Sequence, residues 1–286
     1  MRRIYDAGQV GRQETVFEYA PYCEKYGVTA INITARELSS PEVFREADKC
    51  IHDHGLTWGM LPTPFDAYSE DLSDADFEKG LETLKRWADM TADSEGKNCY
   101  NHIWNGSNAR TYDAQREWVL ERARKVFEVL DPYGVHYGFE FLGVEPLRKS
   151  FRYPFFNDIT GALSIADEIS PRMGFVFDTY HWYTGHDCDM GDLYFAAAHI
   201  DRMVNFHVND GIAGVPREKQ EDMERAMPMT TGVIDARVPY EVFKKRGYEG
   251  LILCEPMTFW RNEVKDLPIE GVVKALAEGY ARVDEA

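Results

Sequence analysis

The chain of 286 residues carries 32 basic and 49 acidic side chains, a formal net charge of −17. That charge repels a phosphate backbone and an anionic membrane surface, so neither nucleic acid nor membrane is expected as a partner. A hydrophobic fraction of 44% with 13% aromatic residues excludes general disorder, and the length admits either two ordinary domains or one α/β barrel of ~250 residues.

Taken in chain order, strand and helix patterns alternate. A strand is expected at 3–6 and a helix at 14–26. A strand at 28–34 leads to a helix at 41–54, with Ser40 in the N-cap position and Pro41 at the first helical residue. The strand at 56–62 is followed by a helix at 74–93, where Phe77, Leu81, Leu84 and Trp87 recur at helical spacing. A strand at 98–104 precedes a helix at 118–130 marked by Val119, Ala123, Val126 and Leu130. Four more pairs follow: strand 135–142 with helix 159–169, 174–178 with 192–199, 203–208 with 239–246, and 250–255 with 270–283. Eight strands in strict alternation with eight helices predict an α/β fold, a (β/α)8 TIM barrel, as a single domain over 1–286. The rival, a doubly wound open sheet, lacks a GxGxxG after its first strand and a GxxxxGK[ST] anywhere.

No apolar run approaches the ~20 residues that span a bilayer. The N-terminus, Met1-Arg2-Arg3, lacks the apolar stretch of a signal peptide, and the five cysteines form no CxxC pair. Reduced thiols and a cytoplasmic location are therefore expected.

A barrel keeps its chemistry at the C-terminal ends of its strands. The fifth predicted strand carries Glu140 among apolar neighbours, the sixth ends on Asp178, the seventh holds His207 and the eighth ends on Glu255. Each alone reads as a cap or a core polar group. On four successive strands they place three carboxylates and an imidazole in one mouth, where the carboxylates repel unless a cation joins them. An O,O,O,N donor set without thiolate suits one divalent ion, Mn2+ first, with Mg2+, Co2+ or Zn2+ as alternatives. Four protein ligands leave about two octahedral positions for cis oxygens of an α-hydroxy carbonyl.

These residues resemble those of the sugar phosphate isomerase/epimerase superfamily, the barrels similar to xylose isomerase and ketose 3-epimerases. The likeness rests on Glu140, Asp178-Thr179-Tyr180-His181, His207 and Glu255. It extends to Gly232-Val233-Ile234-Asp235 and Gly247-Tyr248-Glu249-Gly250. The resemblance implies Glu140, Asp178, His207 and Glu255 as metal ligands, and Glu140 with Glu255 as the catalytic acid/base pair. It also implies His181 and Arg217 as substrate contacts, with solvated loop residue as the other reading of Arg217. Asp210 reads as a second partner of the site or a cap, Asp235 as an N-cap, and Glu145 as a rival of Glu140 beyond the strand.

The superfamily's reactions are diverse. Charge and ligand set speak against its nucleases, and no Gly-rich anion nest or Arg/Lys cluster marks a phosphate site. The function expected is a divalent-metal-dependent isomerase or epimerase of a keto sugar or polyol-derived ketone, working by proton transfer through a metal-stabilised enediolate. Aromatic residues near the mouth, Trp104 among them, suit stacking on sugar C–H surfaces or an aromatic aglycone. With His102 at the end of strand four they also mark substrate-binding candidates. They keep open an alternative, a lyase or deglycosylase cleaving 3-oxo-glycosides, including C-glycosides, by β-elimination, or a related dehydratase. A third reading is a catalytically silent barrel within a larger complex. The partner expected is a small-molecule sugar or glycoside, and outward aromatics such as Trp87 and Trp118 offer surface for a homo-oligomer or partner subunit.

Overall fold

The eight predicted strands are all present in the computed structural model, which describes residues 1–284. They are β1 Arg2–Tyr5, β2 Ala30–Ile31, β3 Thr57–Trp58, β4 Asn98–Ile103, β5 His136–Phe141, β6 Gly174–Asp178, β7 Met203–Val208 and β8 Leu251–Cys254. All pair in parallel, in the order β3-β2-β1-β8-β7-β6-β5-β4. A parallel bridge between Met60 and Asn98 joins β3 to β4, and Leu61 N–H donates to the Asn98 carbonyl at 2.8 Å, closing the barrel.

β2 and β3 are two residues long, where the apolar pattern predicts seven. Beyond Ile31 the ladder is taken over by a side chain: Asn32 Oδ1 accepts from Met60 N–H at 2.8 Å. The apolar run continues past that point without continuing the strand.

The outer helices are α1 Val16–Tyr26, α2 Pro41–Asp53, α3 Asp74–Met90, α4 Tyr112–Leu130, α5 Ile159–Ala166, α6 Met190–Ala198, α7 Arg237–Lys245 and α8 Ile269–Asp284. Local signals set their starts. Thr15 and Glu18 form a capping box at α1, and Ser40 Oγ accepts from Val43 N–H ahead of Pro41 at α2. α4 begins six residues before the predicted 118, because its first turn is exposed and leaves no apolar period to read. Four short helices escaped the pattern: Ala7–Val10, Glu145–Ser150, Thr179–His186 and Thr258–Val264, which follow β1, β5, β6 and β8. No described helix is long and apolar enough to cross a membrane.

Strand alternation divides the core in two. Ile4, Ala30, Met60, Val176, Val204, Leu251 and Leu253 form a cluster inside the barrel. Their neighbours Tyr5, Ile31, Trp58, Phe175, Phe177, Phe206, Ile252 and Cys254 pack outward in the main core with the helices. One irregularity matters for function. Phe175 pairs with Met203 but Val176 pairs with Asn205, a β-bulge that spends an extra residue at Val204. Val204 faces inward, and so do Asn205 and His207, because the bulge resets the alternation.

Candidate metal centre

Two residues beyond the apolar inner layer, the same inward positions become polar. Glu140 follows Gly138 on β5, Asp178 follows Val176, His207 follows Asn205, and Glu255 follows Leu253. Register sets them side by side: Asp178 pairs with His207, and His102 with Glu140. One donor atom from each of Glu140, Asp178, His207 and Glu255 lies within 4.8 Å of every other. His207 Nδ1 is 3.0 Å from Glu140 Oε1, 3.4 Å from Glu255 Oε2 and 3.7 Å from Asp178 Oδ2. All four residues are at most 1% exposed.

Asp178 shows how local structure aims a ligand. It caps the helix Thr179–His186, its Oδ1 accepting from Tyr180 N–H at 2.5 Å and His181 N–H at 3.3 Å. Asn209 Nδ2 donates to the same oxygen at 3.1 Å. Oδ2 is left facing the other three groups.

Burial raises a carboxyl pKa, and each acid here answers that differently. At Glu140 burial is outweighed by the imidazoles of His207 and His102, which hold the group below its ordinary value. At Asp178 burial is outweighed by Arg225 and His181, and the group sits well below the ordinary range. At Glu255 burial prevails over His207 and Arg225, and the carboxyl is pushed up to about 7. Burial would lower His207, but Glu140 and Glu255 raise it well above an ordinary imidazole. Glu140 Oε1, Glu140 Oε2 and His207 Nδ1 are buried and meet one another and His102 as close charge pairs, without well-aligned hydrogen bonds among the described residues. Buried polar atoms left without aligned hydrogen bonds are costly unless something further joins them. Three carboxylates and an imidazole, with no thiolate in the set, fit a divalent cation.

The described loop after β7 supplies a counter-charge that the sequence reading missed. Arg225, 2% exposed, donates from Nη1 to Asp178 Oδ2 at 2.8 Å and to Glu255 Oε2 at 2.5 Å. Its Nη2 donates to Asp222 Oδ1 at 2.7 Å, and its guanidinium lies 4.7 Å over the Tyr180 ring. Asp210 fixes this loop at both ends, accepting from the N–H groups of Gly211, Ile234, Thr231 and Gly232 at 2.8–3.0 Å. A faint signal was available: Arg225 is the one basic residue between Lys219 and Arg237, set among Glu221, Asp222 and Glu224. Gln9, from the short helix after β1, was also missed. Its Nε2 donates to Glu255 Oε1 at 2.7 Å, and Arg261 Nε pins its carbonyl at 2.6 Å.

The remaining predicted site residues are placed as follows. His181 is fully buried beside Arg225, whose Nη2 is 3.1 Å from its Nε2. Gly143 N–H donates to His181 Nδ1 at 3.2 Å, and burial holds the ring's pKa down. Both ring nitrogens thus face N–H donors, Gly143 at Nδ1 and the Arg225 guanidinium at Nε2. A glycine is required for that contact, since a Cβ at 143 would lie 2.1 Å from the His181 carbonyl.

His102 Nε2 is 2.9 Å from Glu140 Oε2. Burial would lower this imidazole, yet Glu140 raises it to about 9; the side chain is 45% exposed to the mouth, so solvent screens part of that pairing. Trp104 Nε1 donates to Asp66 Oδ2 at 2.8 Å. Arg217 is not brought to the four ligands' contacts: its Nη1 donates to the Thr184 carbonyl and its Nε lies 3.8 Å from Asp187. Glu145 pairs with Lys149 at 2.7 Å at the start of its short helix. Trp118 packs against the guanidinium groups of Arg110 and Arg122, 4.0 and 4.3 Å from its ring centroid.

A cavity of about 320 Å³ opens beside His102, between the ends of β1–β4. A larger groove of about 940 Å³ lies outside the barrel between α2 and α3 and is lined by none of the four ligands.

Known structures place this geometry in context. A xylose isomerase domain protein from Alicyclobacillus acidocaldarius subsp. acidocaldarius is 22% identical, with a TM-score of 0.80 over 99% of this chain and 98% of its own. The IOLI protein, solved with a bound zinc atom, is 17% identical with a TM-score of 0.79 over 99% and 98%. D-psicose 3-epimerase from Clostridium cellulolyticum H10, solved with D-tagatose, is 15% identical with a TM-score of 0.73 over 99% and 98%. Identities this low speak to fold. No functionally curated protein matches the sequence. Residues 20–277 match the xylose isomerase-like TIM barrel family, and the chain belongs to it.

Proposed function

We propose that this protein is a divalent-metal-dependent isomerase or epimerase of a keto sugar or a polyol-derived ketone. The observation that carries the reading is the buried Glu140–Asp178–His207–Glu255 set, whose donor atoms converge within 4.8 Å of one another. An ion bound there would supply a Lewis acid for a substrate carbonyl, and the oxygen-rich donors favour Mn2+ or Mg2+ while admitting Co2+ or Zn2+.

The chain's own groups account for the proton movements. Glu140 and Glu255 close the two ends of the β5–β8 arc, so one can take a proton from the carbon beside the carbonyl and the other return it on the opposite face. His181, beside Asp178 and Arg225, is the group placed to contact a substrate oxygen. Arg225 holds Asp178 ionised and partly offsets the burial that raises Glu255. The likeness to D-psicose 3-epimerase, whose structure holds D-tagatose, supports the substrate class.

The test is incubation of the Mn2+-loaded protein with D-psicose or D-tagatose in D2O. Deuterium appearing at the carbon beside the carbonyl, and lost in Glu255→Gln, is the expected result. Exchange that persists near wild-type rate in Glu255→Gln would remove that residue from the chemistry.

A second reading has its own observation. His102, protonated against Glu140 and half open to the cavity, is a proton donor on the side where a leaving group would depart. That suits β-elimination from a 3-oxo-glycoside. Release of free aglycone without deuterium exchange into simple ketoses would favour the lyase.

A further inference from the structure

The alternation that places the metal ligands on β5–β8 also applies to the opposite half of the barrel. Ile4 and Ala30 belong to the inner apolar layer. Two residues beyond them, Asp6 and Asn32 take the same inward face, and both line the 320 Å³ cavity next to His102. A cavity this size is at the small end of the ~300–1,000 Å³ range for ligand sites, enough for one small molecule.

Its polar groups are held rather than loose. Asp6 Oδ1 accepts from Gln9 N–H at 2.9 Å and its Oδ2 from Asn32 Nδ2 at 2.6 Å. Across the cavity, Asp66 Oδ2 accepts from Trp104 Nε1 at 2.8 Å and its Oδ1 from Tyr68 N–H at 3.4 Å. The loop carrying Asp66 is tied down by Asn101, whose Nδ2 donates to Thr63 Oγ1 at 3.0 Å and to the Phe65 carbonyl at 3.1 Å. A carboxylate offers about four acceptor sites, so each of these two keeps about two after its protein partners are counted. Among the described residues lining the cavity, none is lysine or arginine, and the one imidazole, His102, is paired with Glu140. Tyr100 and Phe65 add apolar faces to the same wall.

Fixed acceptors, apolar faces and no cation beyond the His102 imidazolium, already paired with Glu140, make a surface that welcomes hydroxyl groups and repels anions. We propose that Asp6 and Asp66 form a hydroxyl-binding subsite that holds the uncharged polyol end of the substrate and rejects phosphorylated or carboxylated sugars. The inference rests on the metal centre being a sugar site and adds which sugars it admits. The ring or chain end lies in the β1–β4 cavity, its hydroxyls donating to the two carboxylates. The carbonyl end reaches past His102 toward Glu140 and Glu255.

Sorbitol and sorbitol 6-phosphate separate this claim from the reaction, because neither has a carbonyl to be turned over. Isothermal titration calorimetry on the Mg2+-loaded protein should show sorbitol binding at least about tenfold tighter than its phosphate. Asp66→Asn should weaken sorbitol by about tenfold and narrow that ratio, as loss of a charge-assisted hydrogen bond requires. Asp6→Asn should do the same, and where it disturbs folding by circular dichroism, Asp66→Asn decides alone. Failure of sorbitol to bind, a phosphate that binds as well or better, or a ratio unchanged in Asp66→Asn would overturn the proposal. Selective sorbitol binding without deuterium exchange into D-tagatose would leave the subsite standing and remove the isomerase reading. Exchange with a preference for a phosphorylated ketose would do the reverse.

Discussion

Strands β5–β8 end in Glu140, Asp178, His207 and Glu255, packed to 1% exposure or less, whereas β1–β4 open onto a cavity edged by Asp6, Asn32, Met60 and His102. Both halves draw on the same inward positions of one closed sheet. They differ in what the polar atoms are bound to. Asp6 and Asn32 are satisfied by each other and by the backbone, and they face open space. The β5–β8 groups crowd three carboxylates around one imidazole, an arrangement stable only with compensating cations. Under the proposed function, ion binding falls to one half and substrate accommodation to the other.

The largest effect is expected from breaking the ion half directly. His207→Ala removes the nitrogen donor at the centre of the cluster and should lower divalent-metal affinity more than ~100-fold, since even groups behind a ligand are worth ~10–100-fold. Titration calorimetry measures it, and near wild-type affinity would dissolve the distinction between the halves. Next comes Arg225→Met, which leaves Asp178 and Glu255 buried without their guanidinium. Removing one partner of a buried pair costs ~3–5 kcal/mol. Denaturant unfolding of the metal-free variant should show a loss of that order, and saturating Mn2+ should recover much of it. Equal losses with and without metal would mean that no ion shares the carboxylates.

Acidity sharpens the same contrast. In the metal-free protein Glu140 and Glu255 raise His207 well above its ordinary pKa, so an incoming ion must displace its proton. Metal affinity should therefore rise with pH through neutrality, about tenfold per pH unit for one proton released. Below about pH 7 the Glu255 carboxyl also holds a proton, and the dependence should steepen. Affinity independent of pH between 6 and 8, on this ~tenfold scale, would contradict the assignment of His207 as a ligand.

Two smaller effects probe the border between the halves. Gln9→Ala frees Glu255 Oε1 and should weaken metal binding ~10-fold while leaving the fold intact. Trp104→Phe removes the donor to Asp66 and should raise the KM for a ketose by a few-fold, the ~1 kcal/mol of one hydrogen bond, with kcat little changed.

Much of the ion half was legible in the sequence because it lies on regular strands. Glu140, Asp178 and Glu255 each follow an apolar alternation, and the strand ending on each was readable from its β-branched and aromatic run. His207 was found for a reason the structure complicates, since the bulge at Val204 resets the phase of β7 and no pattern in Met203–Val208 announces it. The cavity half was harder. β2 and β3 hold two residues each, so Asn32 and Met60 sit where an apolar run stops being a strand. Asp6 was passed over as the end of a short first strand. Arg225 and Asp222 come from a loop whose path depends on contacts such as those of Asp210, and Gln9 from a four-residue helix, and no periodicity encodes either. The helix Thr179–His186 was hidden because Asp178 serves at once as strand end, N-cap and ion-facing acid.

Under the proposed function Glu140, Asp178, His207 and Glu255 form one metal site. The most direct measurement is the metal content of the purified protein after Mn2+ loading and gel filtration, by plasma mass spectrometry, beside that of His207→Ala. The account predicts about one ion per chain in the wild type and almost none in the variant, the stoichiometry of a single four-ligand site. No retained ion in the wild type, or equal content in both, would contradict it.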